Sequence, residues 1–382
     1  MTQIYLIRHA EAEGNLYRRI HGWYDSLITE NGYKQLNALE DRFRNVNIDA
    51  VYSSDLFRTM TTAGAIFYPH GLLLQTDPNL REVNMGDWED HPWAELEQSD
   101  PARMKLFNDS DPKWQAPNGD TYLSVQARAL KAVQKIAAEN PDRTVAVFSH
   151  GMAIRTVLTA LHGLPIDQMK EIPHGDNTAV NLLQFENGQG SVIFENDATH
   201  LPEEISTLAS QKWWQGEGGC TRDANLYYQP LNMKKDADFY YEARKEAWIT
   251  IHGSPLNFDG DGFLFDAKGQ AKAHPNALWQ ALLNRQPAGL LQLDIDRDAE
   301  QKIGWIPFFY MLPKYRRLGI GVQMLGQAVS VYRPLGREYL RLRCAPDNEV
   351  AQRFYARNGF RKVGEAKGTR VPLDILQKYI GY

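Results

Sequence analysis

Gln3-Ile4-Tyr5-Leu6-Ile7-Arg8-His9 opens the chain with a run of strand-forming residues that stops at a cation and an imidazole. Thr144-Val145-Ala146-Val147-Phe148-Ser149-His150-Gly151 has the same form, and Ala50-Val51-Tyr52-Ser53 is a shorter relative of it. Amphipathic stretches lie between these runs. Residues 29–44 read as a helix with Thr29 as N-cap and Leu36, Leu39 and Phe43 on one face. Residues 56–67, 123–139 and 152–161 read likewise, and Asn140-Pro141-Asp142 stops the third. Strand alternating with helix at this spacing predicts an α/β class domain, a mostly parallel sheet sandwiched between helices.

Working outward, 382 residues predict two domains. Hydrophobic residues at 43% and charged residues at 23% are globular usage. A net charge of −5 argues against a nucleic-acid partner. Two cysteines, Cys220 and Cys344, exclude a disulfide framework or a cysteine-rich zinc module and fit a reducing compartment. The N-terminus lacks a basic stretch followed by a long apolar one, and no apolar run approaches the ~20 residues of a membrane span. The expectation is a cytoplasmic protein with no membrane partner and no metal, and one that leaves room for an oligomer. Residues 1–200 carry a net −10 and residues 201–382 a net +5, a sign change that supports two domains with different ligands.

The boundaries expected are 1–200, a join at 201–222 and 223–382. The join contains an expected helix at 201–214 and the flexible Gly216-Glu217-Gly218-Gly219. Beyond it, strands are expected at 226–231, 289–295, 302–312 and 339–344, and helices at 238–249, 322–331 and 348–357. Their mixed spacing predicts an α+β fold with a mixed sheet.

In an open α/β sheet, ligands bind outside the carboxyl ends of the strands. Those ends carry Arg8-His9, Ser53-Ser54-Asp55 with Arg58 one turn later, and His150, while Leu80-Arg81-Glu82 lies in a loop. If they converge, guanidinium groups can bind phosphate oxygens by paired hydrogen bonds. A neutral imidazole can attack phosphorus, a second can stabilise the equatorial oxygens, and a carboxylic acid can protonate the leaving alkoxide.

Ile7-Arg8-His9-Ala10-Glu11 with Asn15, Ser53-Ser54-Asp55-Leu56-Phe57-Arg58-Thr59, Leu80-Arg81-Glu82 with Gly86-Asp87-Trp88-Glu89, and Ser149-His150-Gly151 together resemble the histidine phosphatase superfamily, phosphoglycerate-mutase-like, branch 1, over residues 1–200. The resemblance implies His9 as nucleophile, Glu82 as proton donor, phosphate binding by Arg8, Arg58 and His150, and a hydrogen bond from Asn15. No metal is implied. Ala10 stands where the family usually has Gly, and His21 where it often has Gln. The context of Glu82 and the short domain resemble the phosphatases of the family more than its mutases; a phosphoglycerate-type mutase is the alternative. Trp88, Trp93, Phe107, Trp114 and Tyr122 in the insert 88–122 read either as a lid over the pocket or as the packing of a small helical subdomain. His70, His91, His162 and His174 fit no ligand spacing; His174 precedes Gly175-Asp176-Asn177-Thr178, near the family's pocket rim.

In the second half, Arg316-Arg317-Leu318-Gly319-Ile320-Gly321-Val322 joins a strand to a helix. Gly319 and Gly321 let a ligand approach the backbone, and successive N–H groups at a helix start suit pyrophosphate. With Asn348 and Phe354-Tyr355-Ala356-Arg357-Asn358-Gly359-Phe360, this loop resembles the GNAT N-acetyltransferase family over residues 223–382. The resemblance implies acetyl-CoA as co-substrate, an amine acceptor, CoA binding by the backbone of 316–322 with Asn348 lining the cleft, and Tyr355 as general acid. Many relatives place a Glu on the preceding strand. Residues 303–312 hold no carboxylate, which leaves Asp294, Asp296, Tyr310 or a water as base. A bifunctional phosphatase and acetyltransferase is the expectation; a phosphatase regulated by a non-catalytic acyl-CoA-binding domain is the alternative. Cys344 reads as packed and inert.

Overall fold

The computed structural model describes residues 1–211 and 224–382, in two units, Met1–Asp223 and Ala224–Tyr382. The proposed join at Gly216-Glu217-Gly218-Gly219, the end of the expected 201–214 helix, and Cys220 lie outside the described residues.

The elements of the first unit run β1 (Thr2–Arg8), α1 (Glu13–Tyr17), α2 (Glu30–Phe43), β2 (Ala50–Ser53), α3 (Phe57–Phe67), β3 (Leu74–Thr76), α4 (Trp93–Ser99) and α5 (Pro101–Asn108). They continue α6 (Tyr122–Glu139), β4 (Thr144–Ser149), α7 (Gly151–Leu161), β5 (Val180–Glu186), β6 (Gln189–Asp197) and α8 (Thr207–Gln211). The sheet order is β3-β2-β4-β1-β5-β6; the first four strands are parallel, and β5 and β6 close the edge as an antiparallel hairpin. Alternation along β1 and β4 divides the core. Ile4, Leu6, Val145 and Val147 pack with Val133 and Ile136 of α6 and Val157 and Leu158 of α7. Ile7, Val51, Ala146 and Phe148 pack with Leu39 and Phe43 of α2 and Ala63 and Ile66 of α3. Each large apolar side chain enclosed this way contributes about 1.5–3 kcal/mol. Thr29 caps α2, its Oγ1 accepting from Gly32 N at 2.9 Å.

Because β1 pairs in parallel with β4, and β4 with β2, their carboxyl ends meet at one edge. Arg8 lies opposite Ser149, and Ser53 opposite Phe148. A knot ties α8 back to this edge. Buried Glu11 accepts from Thr29 Oγ1 at 2.6 Å, Asn31 Nδ2 at 3.2 Å and Thr207 Oγ1 at 3.0 Å, and Gln35 Nε2 donates to Ile205 O at 2.7 Å.

The insert aromatics pack against one another. Trp114 stacks on Tyr122 at 4.4 Å, Phe107 lies 5.1 Å from Trp114, and Tyr122 donates to Phe107 O at 2.8 Å. Trp114 and Tyr122 are fully enclosed. A small helical core accounts for these two better than a lid whose rings face a leaving group.

The second unit runs β7 (Tyr227–Pro230), α9 (Ala237–His252), α10 (Gly260–Ala273), β8 (Leu278–Leu283), β9 (Gln286–Asp294), β10 (Ile303–Met311), α11 (Val322–Tyr332), β11 (Tyr339–Cys344), α12 (Glu349–Arg357), β12 (Arg361–Ala366) and β13 (Leu373–Tyr379). The strand order is β12-β13-β11-β10-β9-β8-β7, antiparallel except for β10 with β11. That one parallel pair runs from Ile303–Tyr339 to Ile306–Leu342 and stops, although β10 continues to Met311. A bulge between Trp305 and Phe308 marks the departure, so the sheet opens between the two strands.

Candidate functional site

At the β1 end, the backbone of His9 is fixed from both sides. Its N–H donates to Ser149 O at 3.0 Å, and its carbonyl accepts from Asn177 Nδ2 at 2.9 Å and Thr178 N at 3.2 Å. The ring is buried, with Nδ1 2.7 Å from Ala10 O. A carbonyl can only accept, so Nδ1 carries the proton and Nε2 keeps its lone pair. Burial, then Arg58 and Arg8, hold the His9 pKa well below the ordinary 6.5. The His150 ring lies 5.3 Å away, tilted by 59°. Its Nε2 bonds the Ser54 hydroxyl at 2.9 Å, its Nδ1 is enclosed without a partner among the described residues, and burial and Arg58 likewise lower its pKa.

Two guanidinium groups sit with these rings. Arg8 Nη1 donates to Gly175 O at 2.6 Å, while its Nε is enclosed and bonds no described residue. Arg58, 1% exposed, donates to the carbonyls of His21 (3.1 Å), Gly22 (2.6 Å) and Tyr24 (3.2 Å). That loop is held from beneath by Glu89, whose carboxylate accepts from the N–H groups of Gly22, Trp23 and Tyr24 at 2.6–2.9 Å. Only glycine fits at 22, because a Cβ there would lie 2.2 Å from Val83 O. Glu82 accepts from Met152 N and Ala153 N, both at 3.0 Å, at the start of α7. Asn15 Oδ1 accepts from Ala12 N at 3.0 Å and lies 3.4 Å from Asn177 Nδ2, beside the His9 carbonyl. All six residues expected at this site therefore belong to one neighbourhood, and the enclosed, unpartnered nitrogens of Arg8 and His150 mark it as a place for an anion.

His21, noted in the sequence where the family often has Gln, has a buried side chain 3.3 Å from Asp90 and a ring tilted against Tyr24, with Nδ1 enclosed and unpartnered among the described residues. Arg155 and Arg128 came only from the structure. Arg155 donates to Ile172 O and Met169 O and lies 3.4 Å from His174, which is exposed; burial lowers the Arg155 pKa to about 10. Arg128 clamps the Glu82 loop through the carbonyls of Asn79 (3.0 Å), Arg81 (2.6 Å) and Glu82 (2.6 Å), with Asp120 as its counter-ion. Arg128→Ala leaves those acceptors short of a donor and is expected to lower stability by about 2 kcal/mol, read by urea denaturation. An unchanged midpoint would show that water replaces the clamp. Arg81 pairs with Asp55 (2.5 and 2.6 Å) over the Trp23 ring instead of joining the pocket. Among the described residues, no group of three or more His, Cys, Asp or Glu is arranged to hold a metal ion.

In the second unit, the N–H groups from Arg317 to Val322 donate to no acceptor among the described residues. Arg317 at φ 65° and Gly319 at φ 80° turn the loop so that these donors form a concavity at the start of α11, a fit for pyrophosphate oxygens. Arg316 is committed elsewhere. Its N–H goes to Pro313 O, Nε to Met311 O at 2.8 Å, and Nη1 and Nη2 to Glu246 at 3.2 and 2.5 Å. Asn348 caps α12 through Ala351 N at 3.2 Å. Tyr355 is buried against Phe309, Phe354 and Phe360, and its hydroxyl bonds no described residue. Burial and nearby Cys344 push its pKa up, so it keeps its proton at neutral pH. Burial pushes the Cys344 thiol up to about 12, and it stays protonated. Asp296 pairs with His274 at 2.8 Å, and Asp294 accepts from Arg297 N at 3.4 Å. Glu246 of α9, beside Tyr310, is a carboxylate that sequence reasoning missed.

A family model described as the histidine phosphatase superfamily (branch 1) matches residues 4–198, and one described as the acetyltransferase (GNAT) family matches residues 237–360. The probable phosphoglycerate mutase GpmB of Yersinia pestis (strain Pestoides F) is 36% identical over 165 residues, 43% of this chain and 77% of that protein. Among solved structures, Bacillus stearothermophilus YhfR is similar at 32% identity and a TM-score of 0.51, over 52% of this chain and 99% of its own. The mycobacterial glucosyl-3-phosphoglycerate phosphatase in complex with VO3 is similar at 25% identity and a TM-score of 0.48, over 51% of this chain and 99% of its own.

Proposed function

The chain belongs to the histidine phosphatase superfamily, branch 1, with a GNAT family domain following, and from that premise we propose a bifunctional enzyme. Its first unit hydrolyses phosphomonoesters through a phosphohistidine on His9. The observation that carries this reading is the Nδ1 contact with Ala10 O, which leaves Nε2 of a buried neutral imidazole as the nucleophile. Nε2 attacks phosphorus as the ester P–O bond breaks, and the departing alkoxide takes a proton from Glu82. Arg8, Arg58 and His150 stabilise the equatorial oxygens, and Asn15 adds a pocket hydrogen bond. Water then gives a proton to the Glu82 carboxylate and attacks phosphorus, breaking the N–P bond and restoring His9. These steps route no charge through a metal. Rapid acid-free quenching with a labelled monoester tests this. An acid-labile phosphoenzyme is expected; its absence during turnover would overturn the reading.

Likeness to a protein named as a probable phosphoglycerate mutase supports a second reading. A mutase is primed by a bisphosphate and retains the phosphoryl group, so inorganic phosphate released without a bisphosphate decides for the phosphatase.

The low pKa of His9 has a direct consequence. The imidazole must be neutral to attack, and it becomes protonated only as pH falls through its lowered value. In imidazole NMR, the resonance missing from His9→Ala is expected to titrate below pH 6.5; a titration above that value would contradict the electrostatics of the pocket.

The second unit transfers acetyl from acetyl-CoA to an amine. The backbone of 317–322 holds the pyrophosphate, and Asn348 borders the cleft. When bound, the thioester supplies an activated carbonyl. The amine nitrogen forms the new C–N bond, the C–S bond breaks, Tyr355 protonates the thiolate, and the proton shed by the amine returns through water to the Tyr355 phenolate. Tyr355→Phe is expected to lower kcat for thiol release about 10- to 100-fold with acetyl-CoA affinity unchanged. Unchanged kcat would remove Tyr355 from this role. We assign both reactions to the cytoplasm.

A further inference from the structure

Past Ile306, Phe308 and Tyr310 of β10 face one side of the opened sheet, their rings stacked at 5.5 Å, and Phe309 faces the other, 6.2 Å from Tyr355. Helix α9 covers the Phe308 side. There, Arg244 Cζ lies 3.9 Å from the ring centre of Phe308, 4.6 Å from Phe263 and 5.4 Å from Tyr240. Its hydrogen bonds go only to neutral oxygens: Nε donates to the Tyr240 hydroxyl at 2.8 Å and Nη2 to Gln292 Oε1. Tyr240 also donates to Gln292 Oε1 at 2.7 Å, and Gln292 Nε2 donates to Gln270 Oε1 at 2.8 Å, so the array is fixed. Among the described residues no carboxylate forms an ion pair with Arg244, whereas Arg316, Arg353 and Arg370 in the same unit each have one. Arg244 Nη1 has no partner among the described residues, yet it is not sealed from solvent.

A guanidinium held among rings with no described carboxylate in contact, Asp266 acting on it only from a distance, is costly to enclose, and its planar fork matches a carboxylate or phosphate. Two residues along the same face of β10, Tyr310 bonds Glu246, whose charge is already met by Arg316 at the edge of the 316–322 loop. On this face the cation left without a carboxylate in contact among the described residues is Arg244, beside the sheet opening.

We infer that the acetyl acceptor is an amine that also carries an anionic group, carboxylate or phosphate, bound by Nη1 of Arg244. This rests on the acetyl-transfer reading of the second unit. The test uses the full chain carrying His9→Ala, so that the first unit consumes no phosphate ester. Thiol release from acetyl-CoA is measured with α-amino acids against their primary amides, and with phosphoethanolamine against ethanolamine. One anionic series is expected to exceed its neutral counterpart at least tenfold in kcat/KM, and which series does so separates carboxylate from phosphate. Arg244→Met keeps the apolar stem. It is expected to raise the KM for the anionic amine at least tenfold and erase the preference, with the KM for acetyl-CoA unchanged, and Arg244→Lys is expected to restore part of it. Equal use of charged and neutral amines, or a preference that survives in Arg244→Met, overturns the inference and leaves acetyl transfer standing. Should no amine turn over while acetyl-CoA binds, acetyl transfer itself fails. Calorimetric titration of the same amino acids and phosphoethanolamine then decides the anion site: binding lost in Arg244→Met supports it, and no binding to the parent protein overturns it.

Discussion

His9→Ala is expected to reduce phosphate release from a chromogenic aryl phosphate by about 10⁴-fold or more, because it removes the group assigned to form the covalent intermediate. The substitution removes the ring and leaves the backbone of residue 9 held by residues 149, 177 and 178, so the pocket should persist without it. His150→Ala, which removes a stabilising ring and leaves the nucleophile, is expected to cost less, about 10²- to 10³-fold. The order of the two effects is as informative as their size. If His150→Ala proved the more damaging, the roles of the two rings would have to be exchanged. If His9→Ala kept a tenth of the activity, covalent catalysis at this residue would be untenable. Thermal denaturation of both variants separates a lost fold from a lost nucleophile.

Gly319→Val is expected to weaken acetyl-CoA binding about 30- to 100-fold while phosphate release is unchanged. Nothing lies within 4 Å of a Cβ placed at 319, so crowding within the protein is not the cause. The cause is φ of 80°, a conformation that costs a non-glycine residue roughly 1–2 kcal/mol, and a β-branched residue most. Relief of that strain swings the 317–322 donors out of their shared concavity, and the pyrophosphate loses several charge-assisted hydrogen bonds together. Gly319→Asn, which tolerates a left-handed backbone, is expected to recover most of the affinity. Equal losses for Val and Asn would instead show that the ligand itself needs the space. Equilibrium titration with acetyl-CoA reads both variants.

Much of the first site was legible because its residues sit at the ends of uninterrupted apolar strands. A run such as 144–148 can only be a buried strand, and parallel pairing brings such ends together without further information. Arg128 and Arg155 were not legible, since each acts through backbone carbonyls far away in sequence. For Arg155 a weak signal existed: it lies four residues after Gly151, on the same helical face, and a Cβ at Gly151 would lie 3.4 Å from Arg8 Nε. Glu89 stood inside a quoted motif, but its grip on three N–H groups of the 22–24 loop is tertiary. In the second unit α10 was missed because its sequence, Gly260-Asp261-Gly262 through Gly269, carries three glycines that read as loop. Packing of Ala267 beneath α9 overrides that propensity. The strand β12 was missed because Arg361-Lys362-Val363-Gly364-Glu365 is polar and lies at the sheet edge. Glu246 was passed over because the search for a base was confined to the strand before the loop.

The knot at Glu11 sets where the first unit can be cut. The family match ends at residue 198, and an excision there would look natural on the sequence. It would discard Thr207 and Ile205, stripping a donor from a carboxyl group whose pKa burial already raises and an acceptor from Gln35. It would also strand Asp176, which receives Ser206 Oγ at 2.5 Å and Leu208 N at 3.2 Å and lies next to Asn177, the residue that holds the His9 carbonyl. A fragment ending at Gln211 keeps every one of these contacts. The shorter fragment loosens the loop that supports the nucleophile, so a dead enzyme made that way would reflect the scissors and not the chemistry.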